Sequence, residues 1–402
     1  MDLNTRLKLS GMMFLQYFIW GSWYVTMGTY LGEGLGFTGS QIGLAYGTTA
    51  IGAMISPFFV GMIADRFFPA QKVLSALHLI GGVLLYLAVQ QTSFVGFYTI
   101  LIAHTLCYMP TLALTNSVSF NQMSDTAKQF PAIRVLGTIG WIAQGWVISL
   151  MGIEAEATPF LIGAGVSIAL GIYCLFLPNT PPASADKKVT AADVIGLDAL
   201  SMFKNRSFAV FVISSMLICI PLSFYYGFTN LFLNELDVSN AAGKMTFGQM
   251  SEIFFMLVMP FFFRRLGVKY MLVVGILAWA TRYFLFAFGN NDTAVWMLLF
   301  GIILHGVCYD FFFVTGQIYV DKKASDDIRS KAQGLITFAT LGVGMFIGTW
   351  LSGKVVENYA TAEASVPHDW KAIWMVPGIL SLVLLVAFWA LFNDKVDNDA
   401  EA

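Results

Sequence analysis

The chain has 402 residues, 57% of them hydrophobic and 11% charged, with a mean hydropathy of +0.71. Soluble domains carry about 25% charged residues, so these figures exclude a soluble enzyme and describe a polytopic membrane protein. The net charge of −2 gives no handle for nucleic acid, and the four cysteines sit in apolar runs without paired spacing, as packing residues and neither disulfides nor metal ligands.

Hydropathy predicts twelve spans, at about 8–31, 41–64, 73–91, 94–119, 132–152, 158–178, 207–233, 245–263, 270–288, 294–320, 332–353 and 371–392. The first run is too long for a cleavable signal and lacks a small-residue cleavage site, so it is expected to stay as a span. Six spans (1–178) precede a polar, Pro-rich break at 179–206, six follow it (207–392), and 393–402 is a short tail. Within the break, Val194–Phe203 has the spacing of a short surface helix. With the N-terminus inside, all Lys and Arg outside the spans fall on the cytoplasmic side except Lys244, Lys354 and Lys371, which places both termini in the cytoplasm.

In the first span Gln16, Trp20 and Trp23 share one helix face, combining an amide with flat indole surfaces. The fifth span repeats that spacing with Arg134, Thr138 and Trp141. Gln249 and Glu252 are neighbours on the eighth span, and Arg282 in the ninth offers a charge to neutralise an acid. The tenth, Val295–Val320, carries His305, Tyr309 and Asp310 in the middle of an apolar run. A carboxylate there costs about 2.5–3.5 kcal/mol on insertion scales, so a partner or a watery cavity is expected and a functional role is the default reading. Cys107-Tyr108 in the fourth span matches Cys308-Tyr309 in the tenth, at the same ordinal place in each half. Two related halves with a midplane substrate site between them are a common transporter layout.

The mixture of acids, arginines, amides, hydroxyls and aromatics suits a neutral, flat, hydroxyl-bearing solute such as a nucleoside, and a sugar nearly as well. An enzyme would need clustered nucleophile, base or metal ligands, whereas His78, His104, His305 and His368 are scattered. A non-transporting sensor would be expected to carry a soluble appendage, and no stretch between the spans is long enough for one.

The loop Gly61–Lys72, GMIADRFFPAQK, resembles the signature between spans two and three of the major facilitator superfamily, with Asp65 and Arg66 as a conformational latch. Further stretches resemble one branch of it: FLQYFIWGSW (Phe14–Trp23), YMPTLALTNSVSF (Tyr108–Phe120), FPAIRVLGTIGW (Phe130–Trp141), GLDALSMFKN (Gly196–Asn205), QMSE (Gln249–Glu252), YDFFFVTG (Tyr309–Gly316) and SGKVVE (Ser352–Glu357). On these the chain is similar, nearly end to end, to the bacterial nucleoside:proton symporter family. The resemblance implies an all-α major facilitator fold of two pseudo-symmetric six-helix halves and nucleoside import across the inner membrane by alternating access. It also implies a proton as the coupling ion, no cofactor, and partners limited to nucleoside, protons and the lipid bilayer, with a monomer expected.

It further implies substrate-binding roles for Arg134, Thr138, Trp141, Gln249, Glu252, Tyr309 and Asp310, with Asp310 and Glu252 as proton carriers. Carboxylates change protonation when their surroundings alternate between burial and hydration. Two departures bear on base preference: Ser223 and Tyr226 stand where the family's nucleoside permease has Gln and Asn, and His305 stands where the family has Tyr. The competing expectation is a sugar or nucleobase permease on the same scaffold.

Overall fold

The computed structural model describes residues 1–59, 67–182, 197–325, 328–363 and 367–393. The chain divides into two compact units, Met1–Thr190 and Ala191–Ala402. Asp65, Arg66, the C-terminal tail beyond Asn393 and the first three residues of the expected Val194–Phe203 helix lie outside the described residues.

Unit 1 holds α1 (Leu3–Tyr24), α2 (Gly39–Phe59), α3 (Ala70–Ala88), α4 (Phe94–Asn121), α5 (Thr126–Met151) and α6 (Thr158–Cys174). Short polar side chains start several of these helices by accepting from a backbone N–H three residues on, as Asp2 does from Thr5 (2.6 Å) and Asp125 from Lys128 (3.1 Å). Each such cap contributes about 0.5–2 kcal/mol. The Asp125 cap starts α5 six residues earlier than hydropathy predicted. Pro131 falls in its second turn, and Arg134 lies well inside the helix. α1 packs on α5 and α6, α3 on α4 and α6, and α2 on α4, around a core that includes Leu9, Met12, Ile19, Leu74, Leu114 and Leu170. α4 contains Pro110, which has no N–H to give, so the Leu106 carbonyl loses its usual helical partner.

In unit 2 a 3-10 turn, Leu197–Lys204, takes the place of the expected surface helix and ends at Asn205, whose side chain caps α7 (Arg206–Glu235) by accepting from Phe208 N (3.0 Å). Lys331 holds the turn through Asp198. Ala241–Phe288 is two helices, α8 and α9, parted at Gly267, whose φ of 66° lies in the left-handed region that glycine adopts without strain. α10 (Val295–Lys323), α11 (Lys331–Asn358) and α12 (Trp370–Leu391) follow. α10 is irregular twice: it breaks at Leu304 and then runs through a π turn, Tyr309–Val314. A second π turn, Phe338–Gly344, lies in α11.

Among the described residues eight continuous helical stretches are long and apolar enough to cross a membrane, Ala241–Phe288 counting once among them. α1, α2 and α6 fall short of that standard. They are spans by position, each packed within the first six-helix unit.

Candidate functional site

In unit 1 the side chains singled out on α1 and α5 meet. The Trp20 ring lies 5.6 Å from Trp141, edge to face, and 5.7, 6.0 and 6.2 Å from Tyr24, Tyr108 and Tyr17. The Arg134 guanidinium sits 4.1 Å over the Tyr17 ring, a cation–π contact that keeps the charge inside the unit. Gly21 lets Trp141 lie flat against α1, a Cβ there meeting its ring at 3.4 Å. Trp20, Arg134, Thr138 and Trp141 are all half-buried, and the Trp20 indole N–H is a buried donor without an acceptor among the described residues.

The expected face of Gln16, Trp20 and Trp23 divides. Trp23 is fully buried, edge-on to His104 at 5.3 Å. Gln16, expected to bind substrate, is also fully buried and uses both ends of its amide internally. Its Nε2 donates to Thr111 Oγ1 (2.7 Å), and its Oε1 accepts from His78 Nε2 (2.8 Å).

In unit 2 Asp310 sits in the π turn of α10, fully buried, and neither carboxylate oxygen has a hydrogen-bond partner among the described residues. The Glu252 carboxylate on α8, half-buried, is within electrostatic reach of it. The two helices approach closely at Gly306, where a Cβ would stand 2.5 Å from the Ser251 backbone. Ser251 Oγ donates to Ile303 O (2.6 Å) and accepts from Gly306 N (3.0 Å), which fits the break at Leu304. His305 stacks on Tyr225 (5.1 Å, 19°) and lies 6.0 Å from Tyr309 and 6.1 Å from Tyr226. Gln249, Tyr226 and Tyr309 are half-buried beside these.

Two of the singled-out residues are held by other partners. Arg282 does not neutralise Asp310. Its Nε donates to Gly301 O (2.8 Å), its Nη2 to Ile302 O (3.4 Å), and its guanidinium lies 4.0 Å over the Tyr225 ring. The break in α10 frees those carbonyls, which with the π face take up part of the buried cation, while Nη1 has no partner among the described residues. Ser223, expected to bind substrate, is fully buried. Its hydroxyl donates to Cys219 O (2.8 Å), one turn back on its own helix, and faces Met345. Sequence reasoning missed Tyr17, Tyr24 and Tyr225. It also stopped short on the repeat: His104-x-x-Cys107-Tyr108 and His305-x-x-Cys308-Tyr309 share three residues over five positions, and in both the His and Tyr rings lie about 6 Å apart.

Among the described residues twelve helices fall in two units of six, each with a polar–aromatic cluster inside its spans, the architecture of a major facilitator-type membrane protein. The fold alone is shared with a D-xylose–proton symporter of known structure (TM-score 0.74, 13% identity, 98% of each chain covered). A family model described as "Nucleoside H+ symporter" matches residues 2–397, and the chain belongs to that family. It is 44% identical to the putative nucleoside transporter YegT of Escherichia coli K12, over 100% of this chain and 96% of that one. It is 36% identical to the nucleoside permease NupG of the same organism, over 98% and 97%. A crystal structure of NupG superposes with a TM-score of 0.90, covering 98% of this chain and 100% of that one. Membership makes the chain a multi-pass inner-membrane transporter that couples nucleosides to protons, and not an enzyme.

Proposed function

We propose that the chain imports nucleosides by alternating access, with Asp310 as the proton carrier and Glu252 linking protonation to substrate. The observation that carries this is the Asp310 carboxylate, buried with neither oxygen partnered among the described residues and with a second acid in electrostatic reach. An ionised carboxylate in that setting costs several kcal/mol. When protonated it becomes a donor as well as an acceptor, so its state alters what a ribose hydroxyl can bond. In unit 1 the half-buried Trp20 and Trp141 offer flat surfaces to a nucleobase, the Trp20 N–H a donor, and Arg134 and Thr138 polar contacts. In unit 2 Gln249, Glu252, Tyr226, His305 and Tyr309 offer amide, carboxylate, phenol and imidazole groups.

The finer arrangement we propose is that of the sequence reading. Bundles at 1–178 and 207–392 are joined by a cytoplasmic linker at 179–206, with a cytoplasmic tail at 393–402. Both termini are cytoplasmic, Asp65 and Arg66 form the latch, and the protein works as a monomer in the bilayer. The test is uptake of radiolabelled uridine and adenosine into proteoliposomes with and without an inward proton gradient. Accumulation that a protonophore collapses supports the reading. Equilibration without accumulation makes the chain a facilitator, and no uptake of either nucleoside sends the search to sugars and nucleobases.

A further inference from the structure

Unit 1 contains a buried polar chain that the transport reading leaves unused. His78 on α3 donates from Nε2 to Gln16 Oε1 on α1 (2.8 Å), because an amide oxygen can only accept. Gln16 Nε2 donates to Thr111 Oγ1 on α4 (2.7 Å), and Thr111 donates on to Tyr108 O (2.5 Å). The far side of the imidazole faces α6. Nδ1 lies 3.2 Å from Ser167 Oγ, whose hydroxyl donates to the His78 carbonyl (2.9 Å). Gln16, His78, Thr111 and Ser167 are all buried at 1% exposure or less.

This chain ends on the aromatic wall. The Tyr108 hydroxyl donates to Gln16 O (2.5 Å), and the Tyr108 ring lies 6.0 Å from both Trp20 and His78. Direct packing between α1 and α4 is otherwise sparse, and α4 has lost a backbone hydrogen bond at Pro110, the residue before Thr111. Backbone packing alone therefore leaves the spacing between Trp20 and Tyr108 loosely fixed. The hydrogen-bonded chain fixes it, tying α1, α3 and α4 at the level of those two rings. Such networks specify one arrangement of side chains where an apolar core of equal stability would allow several.

We propose that Gln16 and His78 are positioning residues for nucleoside recognition: acting through Tyr108, they hold Trp20 at the angle at which it meets the nucleobase. The proposal rests on the reading of Trp20 as a substrate surface, and the experiment separates the two.

Uridine uptake into proteoliposomes is measured for His78→Leu, His78→Gln, Trp20→Ala and the double variant Trp20→Ala/His78→Leu, with thermal unfolding of each purified protein. His78→Leu is expected to raise the half-saturating uridine concentration about tenfold while the maximal rate and the accumulation at saturating uridine stay within about twofold, the split that marks lost binding rather than lost turnover. His78→Gln keeps a donor for Gln16 and is expected to recover affinity to within about threefold of the native chain. The double variant is expected to bind no more weakly than Trp20→Ala alone, since groups acting through one another are not additive. Unchanged affinity in His78→Leu, additive losses in the double variant, or a fall in rate without a fall in affinity would overturn the proposal. Unchanged affinity in Trp20→Ala would instead overturn the substrate reading of that ring. Should His78→Leu not fold, Thr111→Val, which removes the other end of the Gln16 amide's bonding at constant shape, is read by the same criteria.

Discussion

Asp310 and Glu252 differ in one respect that sets their expected phenotypes: the Asp310 carboxylate is buried with no partner among the described residues, while Glu252 is half-buried. Asp310→Asn removes the titrating group at nearly constant shape. Proton-driven accumulation is expected to vanish while nucleoside still equilibrates, and accumulation at the native level in an imposed gradient would remove Asp310 from coupling. Glu252→Gln keeps hydrogen-bonding capacity but loses the charge. Nucleoside affinity measured by calorimetry is expected to weaken about tenfold, the roughly 1.4 kcal/mol that separates a charge-assisted hydrogen bond from a neutral one. Both acids were legible from their placement in apolar runs. Ser223 and Gln16 were not legible as buried, because spacing puts a side chain on a face without saying whether that face meets a neighbouring helix. The partners of Arg282 were not legible for a related reason: the break that frees the Gly301 and Ile302 carbonyls leaves no mark in a hydropathy profile.

At the scale of elements, the contact of α8 with α10 is set by one missing side chain. Gly306→Ala would place a Cβ 2.5 Å from the Ser251 carbonyl group, pressing apart the helices that carry Glu252 and Asp310. Overpacking of this kind costs about 1–3 kcal/mol, so a lowered unfolding temperature together with loss of uptake is expected in a thermal-shift and transport assay. Gly165→Ala, where a Cβ meets nothing within 4 Å, is the matched control and should be close to neutral in both. Helix ends were readable to within about a turn wherever a Ser, Asp or Asn cap precedes the run, once that cap is weighed above hydropathy. Weighing hydropathy alone placed the start of α5 at 132, although Asp125 starts it at Thr126. The π turns were not readable, since an i to i+5 bond needs no particular residue and leaves the apolar period almost unchanged.

At the scale of the whole chain, twelve apolar runs broken by short charged loops were sufficient to specify the fold, because in a membrane each run must satisfy its own backbone as a helix. The same charge pattern predicts sidedness. Cysteines introduced as Ser124→Cys and Asn291→Cys, in loops on opposite sides of that scheme, are expected to react with a membrane-impermeant maleimide from the cytoplasmic and periplasmic faces respectively. The reverse pattern would invert the topology. Of the native cysteines, Cys174, Cys219 and Cys308 are buried and Cys107 partly so, which keeps the background low. The surplus residue in the π turn at Asp310 also gives α10 a gear. If that residue were absorbed into regular α-helix, everything on one side of the turn would swivel by about 100° relative to the other while the span lengthened by only about 1.5 Å. A carboxylate mounted at that tooth could sweep from one environment to another without the rod that carries it ever leaving the bilayer or parting in two.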